Sequence, residues 1–467
     1  MSGNLNYCLI IIFLNMITFK ESKMIAIPFK TVKDTDTNYI KSLLQYQLYT
    51  EMEIGDPKQK VILAISTDTS FFNIESYLLN ETFYSPNKST SYRNNSYLYK
   101  VFEGERIKIA EILNDTFYFK DSMNSNYSIY QNITFNYIIQ LSTGSSGKDN
   151  GYIDNNSNLI SGVIGLQITR EYNEVNHIIL IKSLKRINAI DKIIWHINYI
   201  NDNEGYLIFG EYPHQYNNSY KENNLKKIHC ITFSNDYYWY FIFTDIRVGQ
   251  IKMIKYRMAD YAPQIGVIVG TSEYGKAVKE FFGNKDKCSY NEIEFKKQKY
   301  FYYECDNKTN IDDFEPIVFI HQELEYNFTL DKNDLFIDFN NKKYFLVVFK
   351  KEYYEERWIL GKSFVKKYQF VFDYDAKIMQ FYDNKNGANI NENQKNGNQI
   401  LLYILLIILG FIVLSLGIYI GNKFFGKKKK KKANELEDSI NEVENQNSIN
   451  INNNEDSPNS DYNKMGI

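Results

Sequence analysis

The sequence predicts a mainly β protein. Three observations predict this class: apolar and polar residues alternate in several short stretches, turn residues separate neighbouring stretches, and few stretches show the periodicity of a helix. The first two alternating stretches, residues 46–54 and 61–65, flank Gly55, Asp56 and Pro57. Strand periodicity on both sides of a turn is typical of a β-hairpin.

Alternation of the same kind recurs along the chain. It is found at residues 107–109, 241–246 and 370–374, whereas helical patterns are confined to candidates near residues 176–186 and 275–282. No repeat of roughly 20 to 50 residues is evident, but an approximate two-fold organisation emerges when the chain is divided near residue 200. We therefore expect two related β units.

Composition and charge narrow the functional classes. The 467 residues are 44% hydrophobic and 24% charged, and 54 basic side chains nearly balance 56 acidic ones, for a net charge of −2. Nucleic-acid binding requires a basic surplus, so nucleic acid is not an expected partner. The 23 glycines and 7 prolines are too few for collagen-like or Pro-rich classes. The five histidines and four cysteines lack metal-ligand or redox-dithiol spacing, so we expect no metal and no cofactor.

The two ends of the chain predict a single-pass membrane protein. Residues 1–22 contain an apolar run with the length of a signal-peptide core. Ile400–Ile420 carries no charge over 21 positions, enough for a helix to cross the lipid bilayer. The block Lys427–Lys432 follows, which predicts a cytoplasmic C-terminus and, over residues 421–467, a Lys-rich and then disordered tail. We therefore expect a luminal or extracellular body, at the cell surface or in the endomembrane system.

The distribution of N-glycosylation acceptors agrees with this topology. All ten Asn-x-Ser/Thr triplets precede the apolar span and none follows it. An Asn-rich chain contains such triplets by chance, so only their one-sided distribution supports the topology. The candidate asparagines are Asn80, Asn87, Asn94, Asn114, Asn126, Asn132, Asn155, Asn217, Asn307 and Asn327.

The cysteines predict one disulfide. Cys8 would leave with the signal peptide, so Cys230, Cys288 and Cys305 would remain in an oxidising compartment. One disulfide and one odd thiol is the simplest arrangement of three cysteines. We predict that Cys288 pairs with Cys305.

Five segments of the chain form an ordered set of motifs: Tyr49–Lys60, Ser161–Leu166, Gly205–Gly210, Tyr238–Gly249 and Trp358–Asp373. In this order they resemble motifs of the pepsin-like aspartic peptidases. The first is similar to the family's opening hairpin, the second to its Asp-Gly-Ile-Leu-Gly-Leu segment and the third to its inter-lobe strand. The fourth is similar to its Tyr-Trp strand and the last to its Trp-Ile-Leu-Gly signature. Each motif alone is weak, but five in the family's order and spacing are specific.

The resemblance covers about residues 44–385 and implies a fold and a chemistry. It implies a bilobed acid-protease fold with a central cleft, with an N-terminal lobe over residues 44–200 and a C-terminal lobe over residues 201–385. The family's second-lobe disulfide also fits Cys288 with Cys305. In the family, one aspartate from each lobe shares a proton with the other, and the pair activates a water against a peptide carbonyl.

The first catalytic position is open between two registers. Alignment without gaps from Gly55 places Ser66-Thr67-Asp68 on the family's first Asp-Thr-Gly, which puts a hydroxyl where the acid should be. A two-residue insertion places Asp68-Thr69-Ser70 there instead, and Asp68 would then be the first acid. Residues 66 and 68 of an extended strand face the same side about 6.6 Å apart, so the choice decides whether the carboxylate can act.

The second catalytic position is predicted to lack its acid. Residues 266–272 align with the family's Ile-Val-Asp-Thr-Gly-Thr-Ser, which retains Gly270, Thr271 and Ser272 as cleft-loop residues. In this alignment Ile268 replaces the aspartate and Val269 the threonine. An apolar side chain can neither share nor accept a proton, and a packed strand suits Ile268 better than a catalytic role.

Two functional hypotheses follow from these residues. The first is a membrane-anchored, non-catalytic relative, monomeric, that binds a peptide or protein in its inter-lobe cleft. The second is an active aspartic endopeptidase that cleaves luminal or surface proteins with Asp68 as its first acid. The missing second acid favours the first hypothesis.

Overall fold

The computed structural model describes residues 23–383 apart from twelve short gaps. The predicted signal peptide, the span Ile400–Ile420 and the tail lie outside the described residues, as do Asn80, Asn126, Asn155 and Cys230. Within the described part of the chain, no helix is long and apolar enough to cross a membrane. The gaps are residues 33–37, 46, 76–83, 104–105, 121–126, 143–159, 169–177, 230, 234–235, 250, 284–286 and 351–356.

Strands dominate the described residues, as the alternating sequence predicts. Those of the first half of the chain are β1 Ile25–Val32, β2 Gln47–Ile54, β3 Gln59–Ser66, β4 Phe72–Glu75, β5 Arg93–Glu103, β6 Arg106–Lys120, β7 Tyr127–Ser142, β8 Gly162–Gly165, β9 Ile194–Tyr199 and β10 Glu204–Phe209. Those of the second half are β11 Leu225–His229, β12 Ile231–Phe233, β13 Asp236–Tyr238, β14 Tyr240–Val248, β15 Ile251–Tyr261, β16 Ile268–Gly270, β17 Cys288–Phe295, β18 Gln298–Asp306, β19 Ile317–His321, β20 Tyr326–Leu330, β21 Phe336–Phe339, β22 Lys342–Phe345, β23 Val347–Lys350, β24 Trp358–Leu360, β25 Phe370–Asp373 and β26 Ile378–Tyr382.

Helices in the described residues are short. Both helices predicted from sequence are present, near residues 180–186 and 272–283, and the class is mainly β as expected. The helices are α1 Tyr39–Leu44, α2 Leu180–Arg186, α3 Pro213–Tyr216, α4 Ser272–Gly283, α5 Lys332–Leu335 and α6 Lys362–Lys367, with 3₁₀ turns at Pro86–Lys88 and Glu222–Asn224.

Two large sheets build the body, consistent with a bilobed fold. The first has 13 strands in the order β11-β26-β25-β9-β10-β1-β2-β3-β8-β4-β7-β6-β5, and the second has 11 strands, β20-β19-β14-β15-β24-β16-β23-β18-β22-β21 with β17 on β18. In the first sheet, strands β11 to β1 form a six-stranded platform that joins segments from both halves of the chain. Strands β2 to β5 of that order form the first lobe, and the second sheet forms the second lobe.

The predicted opening hairpin is present, and the backbone conformation of its turn requires a glycine. Strands β2 and β3 pair antiparallel from Leu48 opposite Ile65 to Ile54 opposite Gln59. Gly55 follows β2 with a φ of +83°, a region that L side chains rarely adopt. A Cβ added there would also meet the Ser89 hydroxyl at 2.7 Å, so the turn requires glycine on two grounds.

Two buried hydrogen bonds, one from a tryptophan and one from a tyrosine, connect the first sheet with the second lobe. Trp239, in the segment before β14, is buried, and its indole N–H donates to the carbonyl oxygen of Leu166 in the first lobe at 2.8 Å. The Tyr199 hydroxyl donates to the carbonyl oxygen of Pro263 in the second lobe at 3.1 Å. Both bonds are buried, where a lost partner would leave a costly unsatisfied group.

Helix α1 is a third connection between the first sheet and the second lobe. Its chain position lies between β1 and β2 of the first sheet, yet Tyr39, Ile40 and Leu43 pack in a cluster formed by second-lobe residues such as Val267. The carbonyl oxygen of Leu43 accepts a hydrogen bond from the Gly266 N–H at 2.9 Å. This helix therefore connects the first sheet directly to the segment that leads into β16.

The predicted disulfide is confirmed. Cys288 begins β17 and lies opposite Cys305 near the end of β18, and the two form a disulfide. The bridge closes the base of a long hairpin whose turn contains Lys296 and Lys297. Both turn residues have positive φ, of 50° and 61°.

The described acceptor asparagines lie at the surface or partly so. Glycosylation at these positions stays a prediction. Asn114 and Asn217 are half-buried, whereas the exposed acceptors are Asn87, Asn94, Asn132, Asn307 and Asn327.

One buried histidine of the platform predicts a loss of stability in acid. His196 in β9 is fully buried, its Nε2 lies 2.7 Å from the Tyr216 hydroxyl, and its ring stacks on that tyrosine. Its Nδ1 has no hydrogen-bond partner among the described residues. Burial lowers the pKa of His196 from 6.5 to about 3 because the charged imidazole loses its hydration.

We expect the stability of the full-length protein to fall as the pH decreases from about 6.5 towards 3. Below pH 6.5 protons bind the unfolded chain preferentially, and one such group contributes a loss of about 1.4 kcal/mol per pH unit. The substitution His196→Gln should remove this part of the slope, measured as the free energy of unfolding in denaturant at several pH values. The exposed His229→Gln is the matched control. An unchanged slope in His196→Gln would contradict the prediction.

Candidate functional site

Each lobe contains the same three-strand arrangement around one central strand. In the first lobe, Val163 of β8 lies opposite Ala64 of the parallel strand β3 and opposite Asn73 of the antiparallel strand β4. These two partners of Val163 are nine residues apart in sequence. The segment that joins them, from the end of β3 to the start of β4, is therefore a loop of fixed length at the end of the central strand.

The second lobe repeats this arrangement with the same spacing. Ile359 of β24 lies opposite Asp260 of the parallel strand β15 and opposite Val269 of the antiparallel strand β16. These partners are also nine residues apart, so the two loops correspond residue by residue. Two glycines of the central strands support this correspondence independently.

The glycines are Gly165, the last residue of β8, and Gly361, the residue that follows β24. They occupy equivalent positions when Val163 is matched with Ile359. A Cβ on Gly165 would meet the backbone N and O of Phe71 at 2.6 Å, and a Cβ on Gly361 would meet the carbonyl oxygen of Val267 at 2.0 Å. Phe71 and Val267 occupy the same position of their loops under the nine-residue correspondence. Each loop therefore packs against a glycine where no side chain fits.

The correspondence changes the predicted second position. Ser66 ends β3, and its equivalent is Ala262, which directly follows β15. The sequence alignment had placed Ile268 at this position, and the strand register shows that placement to be wrong. Ile268 is fully buried in β16, at the start of the strand that leads away from the loop.

The alignment was misled by a short identical string. Gly270-Thr271-Ser272 resembles the family's Gly-Thr-Ser, but the structure places it at the end of β16 and the start of α4, beyond the loop. The true loop, residues 262–266, has no letter in common with Asp-Thr-Gly-Thr-Ser at the corresponding positions. No string in the sequence identifies this loop; the nine-residue spacing between the two partners of Ile359 locates it in the structure.

A buried hydroxyl connects the two loops. Thr67 Oγ1 lies 2.7 Å from the carbonyl oxygen of Tyr261 and 3.1 Å from Gln264 Oε1, both in the second lobe. Thr67 and Gln264 are each at least nine-tenths buried. A buried hydroxyl that is hydrogen-bonded across the lobes fixes the separation of the loops, because breaking it would leave polar groups unsatisfied.

Asp68 and Gln264 occupy the third position of their loops and lie next to one another. Asp68 is an exposed residue whose carboxyl group lies partly buried between protein walls, whereas Gln264 is 9% exposed. With Gln264 Oε1 turned to the Thr67 hydroxyl, the amide Nε2 is left on the side of Asp68, which is the orientation that a carboxylate favours. The loops thus present one carboxylate and one amide where a two-fold symmetric pair would present two identical groups.

The electrostatic environment of Asp68 has three components. Partial burial between protein walls raises the pKa of Asp68 above its ordinary value, because the carboxylate loses hydration. The Gln264 amide and the positive charge of Lys296, in the turn between β17 and β18, act in the opposite direction. The Asp68 backbone N–H donates to the Ser66 hydroxyl oxygen at 3.1 Å, which turns the serine towards its own loop.

The remaining predicted loop residues have structural contacts. Thr69 is buried, and its hydroxyl oxygen lies 3.3 Å from the Phe71 backbone N–H, while its carbonyl oxygen accepts from the Gln167 N–H. Thr271 is buried at the junction of β16 and α4, and Ser272 is half-buried. Sequence reasoning missed Ala262, Gln264 and Lys296, none of which belongs to a recognisable motif. Among the described residues, no group of three or more His, Cys, Asp or Glu side chains could hold a metal ion.

A family model of eukaryotic aspartyl proteases matches residues 47–383. The chain belongs to this family. A comparison with curated proteins finds no match. Within the family, the Asp-Thr-Gly of each lobe falls on Ser66-Thr67-Asp68 and on Ala262-Pro263-Gln264 by strand register. The gapless register of the first lobe is the one that the structure favours, because Ser66, and not Asp68, is the strand-end residue opposite Gly165.

Substitution of Gly361 should destabilise the aspartyl protease domain. The added methyl of Gly361→Ala would lie 2.0 Å from a backbone oxygen, which cannot move independently of β16 and its loop. We expect a loss of at least about 2 kcal/mol in the free energy of unfolding, measured by denaturant titration of the full-length protein. Gly283→Ala at the end of α4 is the control, since no atom lies within 4 Å of its added Cβ. Equal stability of the two variants would refute the packing argument.

Proposed function

We propose that this chain is a membrane-anchored aspartyl protease relative whose cleft binds a peptide or protein segment without cleaving it. The observation that supports the proposal most is the pair of strand-end positions, Ser66 and Ala262. The family's mechanism needs a carboxyl group at both, one to accept a proton and one to donate it. Neither a serine hydroxyl nor an alanine methyl titrates in the relevant range.

Asp68 is a poor substitute for the missing pair. It lies two residues beyond the end of β3, in the loop, whereas Ser66 occupies the strand-end position of the family's first acid. It also lacks a second carboxyl group in the opposite loop, where the equivalent residue is Gln264. A single carboxylate could still act as a general base on a water, and its exposure and raised pKa favour that second candidate function.

The connections between the lobes support retention of the cleft as a binding surface. The Thr67 hydroxyl, the Trp239 indole and α1 each join the two lobes through buried contacts. A cleft held at fixed width is pre-organised, which lowers the ordering cost of binding an extended segment. None of these connections requires the catalytic acids, so binding can persist after the chemistry is lost.

The membrane anchor belongs to the same proposal. The uncharged run Ile400–Ile420 and the lysines that follow it would tether the domain on the luminal or extracellular side. The acceptor asparagines before the span agree with that side. A tethered, non-cleaving cleft would retain its partner at the membrane.

Incubation of the full-length protein with a mixed peptide library at acidic pH should give no cleavage that a transition-state-mimicking aspartic-protease inhibitor blocks. Mass spectrometry of the products measures this outcome directly. We also expect part of the library to co-purify uncleaved with the protein and to be displaced by the inhibitor, since both would occupy the cleft. These two readouts separate binding from catalysis.

The matched controls are Asp68→Asn in the cleft and Asp56→Asn in the exposed β2–β3 turn. Inhibitor-sensitive cleavage that Asp68→Asn abolishes and Asp56→Asn preserves would establish the endopeptidase instead. Absence of both cleavage and retained peptide would contradict the binding function.

A further inference from the structure

The two cleft loops contain one titratable side chain between them. The first loop reads Ser-Thr-Asp-Thr-Ser over residues 66–70, and the second reads Ala-Pro-Gln-Ile-Gly over residues 262–266. Asp68 is therefore the charged group of the loops, and it is an exposed residue whose carboxyl group is partly buried. In an intact family dyad two carboxyl groups share a proton, which leaves a different charge pattern from this lone carboxylate.

Next to Asp68 lies a buried amide donor. Gln264 is 9% exposed, and its Nε2 faces the Asp68 carboxylate and stabilises the ionised form. A side-chain amide has two N–H groups, and buried polar groups in folded proteins are almost always hydrogen-bonded. One N–H directed at Asp68 therefore leaves a second N–H for a bound group.

Ser66 adds a second donor to the same place. Its hydroxyl oxygen accepts from the Asp68 backbone N–H at 3.1 Å, so the hydroxyl proton is available to another acceptor. Together the loops offer one anionic acceptor at Asp68 and two neutral donors, at Gln264 and Ser66. A complementary ligand must carry a cation with hydrogen-bond donors and, beside it, an uncharged acceptor such as a peptide carbonyl oxygen.

We propose that the cleft recognises a primary ammonium group of a peptide, which binds Asp68 while a neighbouring peptide carbonyl accepts from the Gln264 amide. This inference rests on the proposed peptide-binding function and adds the chemical class of the ligand. An ammonium group has three donors and no acceptor, which matches a carboxylate that faces the cleft. The group could be an N-terminal amine or a lysine side chain.

Lys296 is the internal competitor for this position. It lies in the turn of the β17–β18 hairpin, its Nζ is 4.9 Å from the centre of the Phe295 ring, and its charge acts on Asp68. A bound ammonium group would be repelled by this lysine. Removal of the Lys296 charge should therefore tighten the binding of cationic peptides, the opposite of the effect of removing Asp68.

The experiment uses four fluorescent heptapeptides of alanine and phenylalanine that differ in two places. One place is the N-terminus, free or acetylated, and the other is a central lysine or its uncharged isostere norleucine. Fluorescence anisotropy with the full-length protein at neutral pH gives the four dissociation constants. The peptide with neither ammonium group should bind roughly tenfold more weakly than the best of the others, as expected for one charge-assisted hydrogen bond. Comparison of the two peptides that carry a single ammonium group identifies whether the N-terminus or the lysine supplies the group.

The Asp68 and Lys296 variants should change the affinity for ammonium-bearing peptides in opposite directions. Asp68→Asn should reduce the preference for the ammonium-bearing peptides to less than about threefold, and Lys296→Gln should increase their affinity. Lys297→Gln, at the adjacent turn position, is the matched control and should leave the affinities unchanged. All these side chains lie on loops or turns, and the thermal midpoint of each variant checks that the fold is retained.

Equal binding of all four peptides to the wild-type protein would overturn the ammonium proposal while leaving peptide binding intact. A preference that survives in Asp68→Asn would overturn it as well. Binding of none of the four would contradict both the ammonium proposal and the peptide-binding function.

Discussion

The hydrogen bond of the Thr67 hydroxyl to the second lobe is the contact on which the arrangement of the cleft depends. It is buried, it joins residues 194 positions apart in sequence, and it places the Tyr261 carbonyl and the Gln264 amide beside the first loop. A buried hydroxyl must keep its partner, so the two loops cannot separate without a free-energy cost of about 1–3 kcal/mol. The two loops are therefore held at a fixed separation, although the neighbouring strand-end residues are Ser66 and Ala262 and not the family's aspartates.

Much of the fold was predictable because strand periodicity and turn chemistry are local signals. The β2–β3 hairpin follows from alternation around Gly55, and the three cysteines left after the signal peptide predict one disulfide, for which the family resemblance also fits Cys288 with Cys305. The second loop was not predictable in this way, because residues 262–266 share no residue with the family's Asp-Thr-Gly-Thr-Ser at the corresponding positions. In addition, Gly270-Thr271-Ser272, which resembles part of that motif, follows a few residues later. Only pairing with Ile359, nearly 100 residues further along the chain, reveals that Ala262 corresponds to Ser66.

The role of Lys296 was unpredictable for a related reason. Its hairpin belongs to the second lobe, and its charge acts on a first-lobe carboxylate more than 200 residues earlier in the sequence. No pattern within either segment indicates that they meet. Electrostatic pairs of this kind depend on the packing of whole lobes, which periodicity does not encode.

The residues at the two strand-end positions also determine what the protein must stabilise. Two carboxyl groups held close together repel one another when both are ionised, and a family member must maintain that arrangement for catalysis. Here Ser66 is turned to its own loop, Ala262 is apolar, and the remaining carboxylate has an amide beside it. Ser66 and Ala262 cannot share a proton as two carboxyl groups would, and Asp68 is the single carboxylate of the two loops. Binding and catalysis make separate demands on such a cleft, since the inter-lobe contacts of Thr67, Trp239 and α1 do not involve Ser66 or Ala262, the two strand-end positions.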